Sequence, residues 1–448
     1  MTQNIPPNVA SYLKKHLIST YKVEWNNKIG IDHIVVIPAI AEYKNIKNLL
    51  KLLSRNDTSF FPSTLILFVI NNSLSSEQSV KDDNHKSVRL LRKIINRKAK
   101  GKLSTEIQQS GLQIGLIDAA SNGREPDEKQ FGVGLARKIG MDAALTIFDY
   151  DIETKKSIIS LDADCKIHPD YLTNVIRDFN SNGYSAALVD FEHELNRKCE
   201  ETAAIICYEI FLRYYVSGLK YARSDYAFHT IGSTIVCDHT AYIKSGGMNK
   251  RKAAEDFYFL EKLAKNYEIT QISSTTVYPS SRTSWRVPFG TGQRVTRFLS
   301  KTHNEYALFD PAVFDVLKSW LKVYNAGSSI LPKHILNSAK EIHPELFNFL
   351  VKHNFEEQWE NILSNTKSDT QFRHQKKIWF DGFRTLKLIH HLRDTAFPEI
   401  NMFDALDQFF AKLKMKNKIK RDAGTVPDYK VQKKYLRLLR DKDNNNLR

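Results

Sequence analysis

Ser157-Ile158-Ile159-Ser160-Leu161-Asp162-Ala163-Asp164-Cys165 is a short apolar run that ends in two aspartates one residue apart. Such a run has the character of a buried strand, in which alternate side chains point to the same side. Asp162 and Asp164 are therefore expected to project together from the strand's end. Two convergent carboxylates suit a hard divalent cation, Mn or Mg, which takes oxygen ligands and keeps positions for a phosphate. Asp-x-Asp also arises in ordinary turns, so its meaning depends on the rest of the chain.

Upstream, residues 31–38, 64–71 and 112–118 read as strands, the second a continuous apolar run of the kind buried on both faces of a parallel sheet. Between them, Ile46, Leu49, Leu50 and Leu53 have helical spacing, as do the apolar residues of 88–95. Gly132-Val133-Gly134 opens a further helix, to residue 144, without the third glycine of a dinucleotide fingerprint. Strands alternating with helices predict an α/β domain with a mostly parallel central sheet. Ligands of such sheets sit at the carboxyl ends of the strands, where Glu42, Asn71, Asn72, Asp162 and Asp164 all fall. After residue 300 the strand pattern stops, and 313–323, 345–351, 372–392 and 403–413 have helical spacing. The expected organisation is an N-terminal helical arm (1–30), an α/β domain (31–300) and a C-terminal helical domain with a basic tail (301–448).

The chain has 448 residues, with 66 Lys and Arg against 50 Asp and Glu, a net charge of +16. That excess favours an anionic partner: nucleic acid, an acidic membrane surface or a phosphorylated substrate. No helix-turn-helix, zinc-finger or aromatic RNA-binding signature supports nucleic acid. The basic residues between Lys412 and Arg440 instead suggest peripheral contact with anionic head groups. The four cysteines, Cys165, Cys199, Cys207 and Cys237, form no Cys-x-x-Cys pair and read as buried reduced thiols. The first residues lack a basic n-region and an apolar core, and the apolar runs near 65–70 and 205–216 are too short or too interrupted to span a bilayer. A cytoplasmic location is expected, with peripheral contact at the inner face of the membrane.

Taken in order, a strand running into Pro38-Ala39-Ile40-Ala41-Glu42, then Asp162-Ala163-Asp164, then Gly246-Gly247-Met248 and Glu255-Asp256, resembles the family 2 glycosyltransferases over about residues 31–300. The resemblance implies the GT-A fold and transfer of a hexose from a nucleotide-sugar donor, with a divalent metal and most often with inversion. The acceptor hydroxyl would belong to a glycan, a lipid-linked sugar or a small molecule. By resemblance Asp164 is the direct metal ligand, and Asp162 is nearer the ribose or bridges to the metal through water. By the same resemblance Pro38, Ala39 and Glu42 line the nucleoside; the plainer alternative for Glu42 is a helix N-terminal carboxylate favoured by the macrodipole. Asn71 and Asn72 stand where the family usually carries an aspartate, and an amide there bonds a base edge without charge. Arg137 reaches toward the donor phosphates; the plainer alternative is a solvated helix arginine. Asp256 takes the acceptor proton and Glu255 orients the acceptor or the base, unless both acids merely begin the helix 256–263. The stretch 281–294 holds Arg282 and Arg286 for phosphate oxygens, with Trp285 and Phe289 to close over a sugar. His229 is left outside the metal set, and Cys165 reads as a small apolar residue under the site. The rival readings are a nucleotidyltransferase, which would carry a glycine-rich loop with arginine near the first strand, and a basic nucleic-acid- or membrane-binding protein on a transferase-like fold.

Overall fold

The computed structural model describes residues 4–26, 28–195, 200–282, 290–326, 331–415, 417 and 419–445. The chain forms two compact units, one made of 1–194, 230–281 and 285–290, the other of 195–229, 282–284 and 291–448.

The first unit is built on a nine-stranded sheet. Its strands are β1 (Val23–Glu24), β2 (His33–Ala39), β3 (Thr64–Asn71), β4 (Gln113–Ala119), β5 (Ser157–Ser160), β6 (Lys166–Ile167), β7 (Ala186–Phe191), β8 (Ile235–Asp238) and β9 (Thr270–Tyr278). Their order is β1-β4-β3-β2-β5-β8-β7-β9-β6. The ladders β3–β4, β2–β3, β2–β5 and β7–β9 are parallel and carry most of the pairing, as expected. The short edge and closing pairs are antiparallel. From β2 the chain lays down β3 and β4 on one side, then returns to add β5 on the other. Such a reversal is where an open α/β sheet usually leaves its ligand crevice, here beyond the carboxyl ends of β2 and β5.

Strands β2 and β3 are buried along their whole length, which explains their unbroken apolar runs. Pro38 lies within β2 rather than ending it. It pairs with Val69 of β3, while the ladder to β5 has already stopped at Val36, so its missing N–H interrupts little of the sheet. The helix Val133–Ala144 lies so close to the sheet that a Cβ on Gly140 would stand 2.4 Å from Val36 Cγ1 and 2.9 Å from Val69 Cγ2. Only glycine permits that approach.

Two boundaries differ from the sequence reading. Residues 1–30 are no separate arm. The helix Pro7–His16 buries Tyr12, whose hydroxyl donates to Asp142 Oδ1 at 2.9 Å, beside the Tyr242 hydroxyl at 2.6 Å from the same oxygen. Gly247, with φ of 69°, makes room for this contact, since a Cβ there would meet the Tyr12 hydroxyl at 1.8 Å. Nor does the helical unit start near residue 300. It already includes the helix Glu200–Tyr221, because that helix buries Ile206, Ile210 and Tyr214 in the apolar core built from Phe314, Trp320, Leu406 and Phe409.

In this second unit the expected helix 372–392 is two helices, Asp369–Trp379 and Gly382–Thr395. Asp381 accepts from the Arg384 N–H and restarts the backbone as an N-cap; the apolar spacing continues across the break and conceals it. The last helix, Tyr429–Asn445, is tied to Glu200–Tyr221 by buried ion pairs. Arg213 bonds Glu209 and Asp443, and Arg440 bonds Glu209. The basic tail is thus partly internal, with Arg421 paired to Asp404 and Asp407 as well. Lys414, Lys420 and Lys434 remain exposed, and Lys416 and Lys418 lie outside the described residues. Cys165, Cys207 and Cys237 are free and buried, and Cys199 lies outside the described residues. Among the described residues no helix is long and apolar enough to cross a membrane.

Candidate active site

The crevice beyond β2 and β5 is organised around Arg137. The glycines that bring its helix close to its neighbours also position this side chain. A Cβ on Gly134 would stand 2.3 Å from the Arg251 carbonyl oxygen, and one on Gly232 would stand 2.5 Å from Arg137 Nη2. The guanidinium therefore rests against the bare backbone of Gly232. Arg137 is only 3% exposed, so the solvated-arginine alternative is corrected. It donates from Nε to Ser160 Oγ at 3.2 Å and from Nη2 to Asp162 Oδ1 at 2.5 Å, and its Nη1 is ion-paired with Glu255. A planar fork of five donors suits such bridging better than a lysine ammonium.

Glu255 and Asp256 begin the helix Glu255–Asn266, as the plainer alternative required, yet they also face Arg137. Ala254, just before them, has a left-handed backbone (φ 55°), an unusual conformation for a residue with a Cβ. It turns the chain so that Glu255 is buried, at 4% exposure, while Asp256 is half-buried. Asp256 Oδ1 accepts from the Phe257 N–H at 2.8 Å, and the Gly232 N–H also bonds its carboxylate.

Three carboxylates, Asp162, Glu255 and Asp256, thus surround one guanidinium. Burial raises the pKa of Glu255 to about 7; Arg137 opposes the shift, while Asp256 and Asp162 add to it. Burial likewise raises Asp256, against the pull of Arg137 and two backbone N–H groups. The surplus of negative charge makes the cluster a place to hold a proton or attract a cation.

Asp162 and Asp164 lie in a tight turn after β5, closed by the Cys165 N–H to the Asp162 carbonyl at 3.1 Å. The strand ends two residues before Asp162, so the pair does not extend from it as drawn from the sequence. Their burial still alternates, with both aspartates half-exposed between buried Leu161, Ala163 and Cys165. Among the described residues no three His, Cys, Asp or Glu side chains gather into a metal-binding group. Two accessible carboxylates fit a cation that draws its other oxygens from a diphosphate and water, rather than one caged by protein.

At the other strand ends the polar residues are largely engaged with one another. Asn72 is fully buried; it donates to the Ser73 carbonyl and accepts from Asn84 Nδ2 at 2.8 Å. Asn71 Nδ2 donates to the Gly132 carbonyl at 3.4 Å. Asn84 also accepts from the Ala41 N–H at 2.9 Å and donates to the Asn71 carbonyl at 3.0 Å, so it joins the turns after β2 and β3. Sequence reasoning missed Asn84, although its place four residues from Val80 and from Val88 put it on the buried helix face. Glu42 is buried at the N-cap of helix Tyr43–Leu53, where its carboxylate accepts from Asn45 rather than from the helix backbone. Pro38 and Ala39 are buried inside β2. Arg282 is exposed, while Trp285, Arg286 and Phe289 lie outside the described residues. His229 is buried in the helical unit, 3.4 Å from Asp443.

Comparisons with models of protein families and with curated proteins return no match. Among solved structures, the chain is similar to residues 1–349 of TarS from S. aureus in complex with UDP, at 14% identity and a TM-score of 0.37, over 88% of this chain and 95% of that one. The same fragment in complex with UDP-GlcNAc gives the same values, 14%, 0.37, 88% and 95%. The mannosyltransferase PcManGT from Pyrobaculum calidifontis, in complex with GDP-Man and Mn2+, is 11% identical with a TM-score of 0.36, over 98% of this chain and 86% of that one. Likenesses this distant carry no residue role or reaction over to this chain.

Proposed function

We propose that the protein is a glycosyltransferase of the family 2 type, moving a sugar from a nucleoside-diphosphate donor to a hydroxyl acceptor with inversion. The observation that carries this reading is the convergence of Arg137, Asp162, Glu255 and Asp256 at the reversal point of the sheet. Asp162 and Glu255 lie 25 and 118 residues from Arg137 in sequence, yet both bond its guanidinium. The Asp-x-Asp and Glu-Asp motifs thus belong to one cluster.

In the proposed reaction the acceptor oxygen attacks the anomeric carbon, its proton passes to Asp256, and the bond from that carbon to the diphosphate oxygen breaks. A single displacement of this kind inverts the anomeric centre. Asp256 suits the base because burial raises its pKa and so its basicity. Glu255 is held by Arg137, and its role is to position: it fixes the guanidinium and, through it, Asp162. A divalent cation bound at Asp164 and Asp162 would neutralise the leaving diphosphate. Three donors of Arg137 are bonded to Ser160, Asp162 and Glu255, so its proposed part in donor binding is to orient Asp162.

The test is Asp256→Asn, which keeps size and loses basicity. Turnover should fall by on the order of 10²–10⁴ with donor affinity near normal. Unchanged turnover with an identified donor and acceptor would overturn the base assignment, and a rise in KM alone would reassign Asp256 to binding.

A further inference from the structure

A cavity of about 710 Å³ lies wholly within the helical unit, lined from residues 223–226, 321–326 and 369–385. Small-molecule sites span roughly 300–1,000 Å³. Its lining holds Arg223, Arg373, Lys376 and Lys377 against Asp225 and Asp369, with His374 beside them, so positive charge is in excess.

Lys376 is the unusual member. It is 4% exposed, and its ammonium sits 5.0 Å from the Tyr324 ring centre, 5.4 Å from Trp359 and 5.2 Å from Phe372. An ammonium has three donors; here one reaches the Ala326 carbonyl at 3.3 Å, and among the described residues no carboxylate is ion-paired with it. Aromatic faces offset part of the cost of burying a cation but do not replace a counter-ion. Burial and the nearby Arg373 lower its pKa to about 8, the mark of a charge kept in an unfavourable place. The wall around it is preformed, because the Tyr324 hydroxyl donates to the Lys376 carbonyl and the Tyr226 hydroxyl to the Lys377 carbonyl, both at 2.9 Å.

We propose that this cavity binds a small sugar phosphate, the phosphate received by Lys376 and Arg373 and the sugar hydroxyls by the accessible rim of Asp225, Asn325 and His374. A dianion matches the excess of cations better than a carboxylate does, and arginine's fork fits phosphate oxygens. The lining is mostly polar, with hydroxyl, amide and carboxylate groups that suit the hydroxyls of a sugar. The proposal stands independently of the transfer reaction, since every residue it uses belongs to the helical unit.

Calorimetric titration of the full chain at constant ionic strength, with glucose 6-phosphate, glucose and inorganic phosphate, tests it. Glucose 6-phosphate should bind more tightly than inorganic phosphate, and glucose should not bind. Lys376→Met should weaken glucose 6-phosphate by at least about tenfold, as for loss of a buried charged partner, and Arg373→Gln, at an exposed position, by about two- to fivefold. Lys376→Met should melt no lower than wild type, because it removes an uncompensated buried charge; Arg373 is exposed, so its variant keeps the fold in any event. Absence of glucose 6-phosphate binding, equal affinity for glucose, or affinity unchanged in both variants would overturn the proposal. So would loss of binding in Asp162→Asn instead, which would assign the phosphate to the crevice of the α/β unit.

Discussion

Replacing Arg137 with methionine removes a cation that three carboxylates share, and the structure sets the scale of the loss. The Glu255 side chain is 5% exposed and the Arg137 side chain 3%, so breaking this pair leaves a buried carboxylate without a counter-ion. That costs about 3–5 kcal/mol. The Asp162 side chain is 35% exposed, and water screens its share to no more than about 1 kcal/mol. The expected destabilisation at pH 8 is therefore about 3–6 kcal/mol. Its pH dependence follows from Glu255, whose folded pKa of about 7 lies above the ordinary 4.5. A raised carboxyl pKa contributes stability below the unfolded value and loses it as pH rises through the folded one. Without the guanidinium the folded pKa rises further, so the penalty of Arg137→Met should shrink between pH 8 and pH 5 by up to about 1.4 kcal/mol, the cost of holding a proton at pH 8 on a group of pKa about 7. Arg137→Met/Glu255→Gln, which removes both charges, should recover much of the loss at pH 8. Urea unfolding of the three proteins at both pH values, analysed with one transition per unit, measures this. A penalty independent of pH, or a double variant as unstable as the sum of the singles, would refute the electrostatic account.

Gly140→Ala should destabilise the α/β unit by about 1–3 kcal/mol, because the new Cβ would enter the space of Val36 and Val69, side chains held in a packed sheet; a urea midpoint unchanged from wild type would mean that the helix shifts freely. Asp164→Ala should abolish the metal dependence of nucleoside-diphosphate binding while leaving the melting temperature within a few degrees, since the side chain is half-exposed in a turn. Calorimetric affinity that is the same with and without chelator in the wild type would remove the metal from the mechanism.

The strands and the α/β class follow from local pattern. Fully buried β2 and β3 must be apolar at every position, and the helices between them must repeat at the helical period, so both are written as periodicity. Asp162 and Asp164 are marked by the end of an apolar run, whereas Glu255 and Asp256 are set apart from ordinary helix-opening acids only by the resemblance of their motif. The break at Asp381 escaped notice because apolar spacing runs on across it, and Asn84 because a charged stretch concealed its buried face.

What sequence alone leaves open is which of these groups face one another. Arg137 reads either as a phosphate-binding or as a solvated arginine until Gly232 and Gly134 bring distant backbone against its helix and Glu255 meets it from 118 residues away. Tyr12 reads as part of a loose arm until Gly247 leaves space for its hydroxyl beside Asp142. Lys376 reads as one of many basic residues until three aromatic rings from separate helices close around it. Periodicity records the environment of a residue along its own element; burial of charge, close approach and pKa depend on the partners that folding brings from elsewhere, and those only the tertiary structure decides.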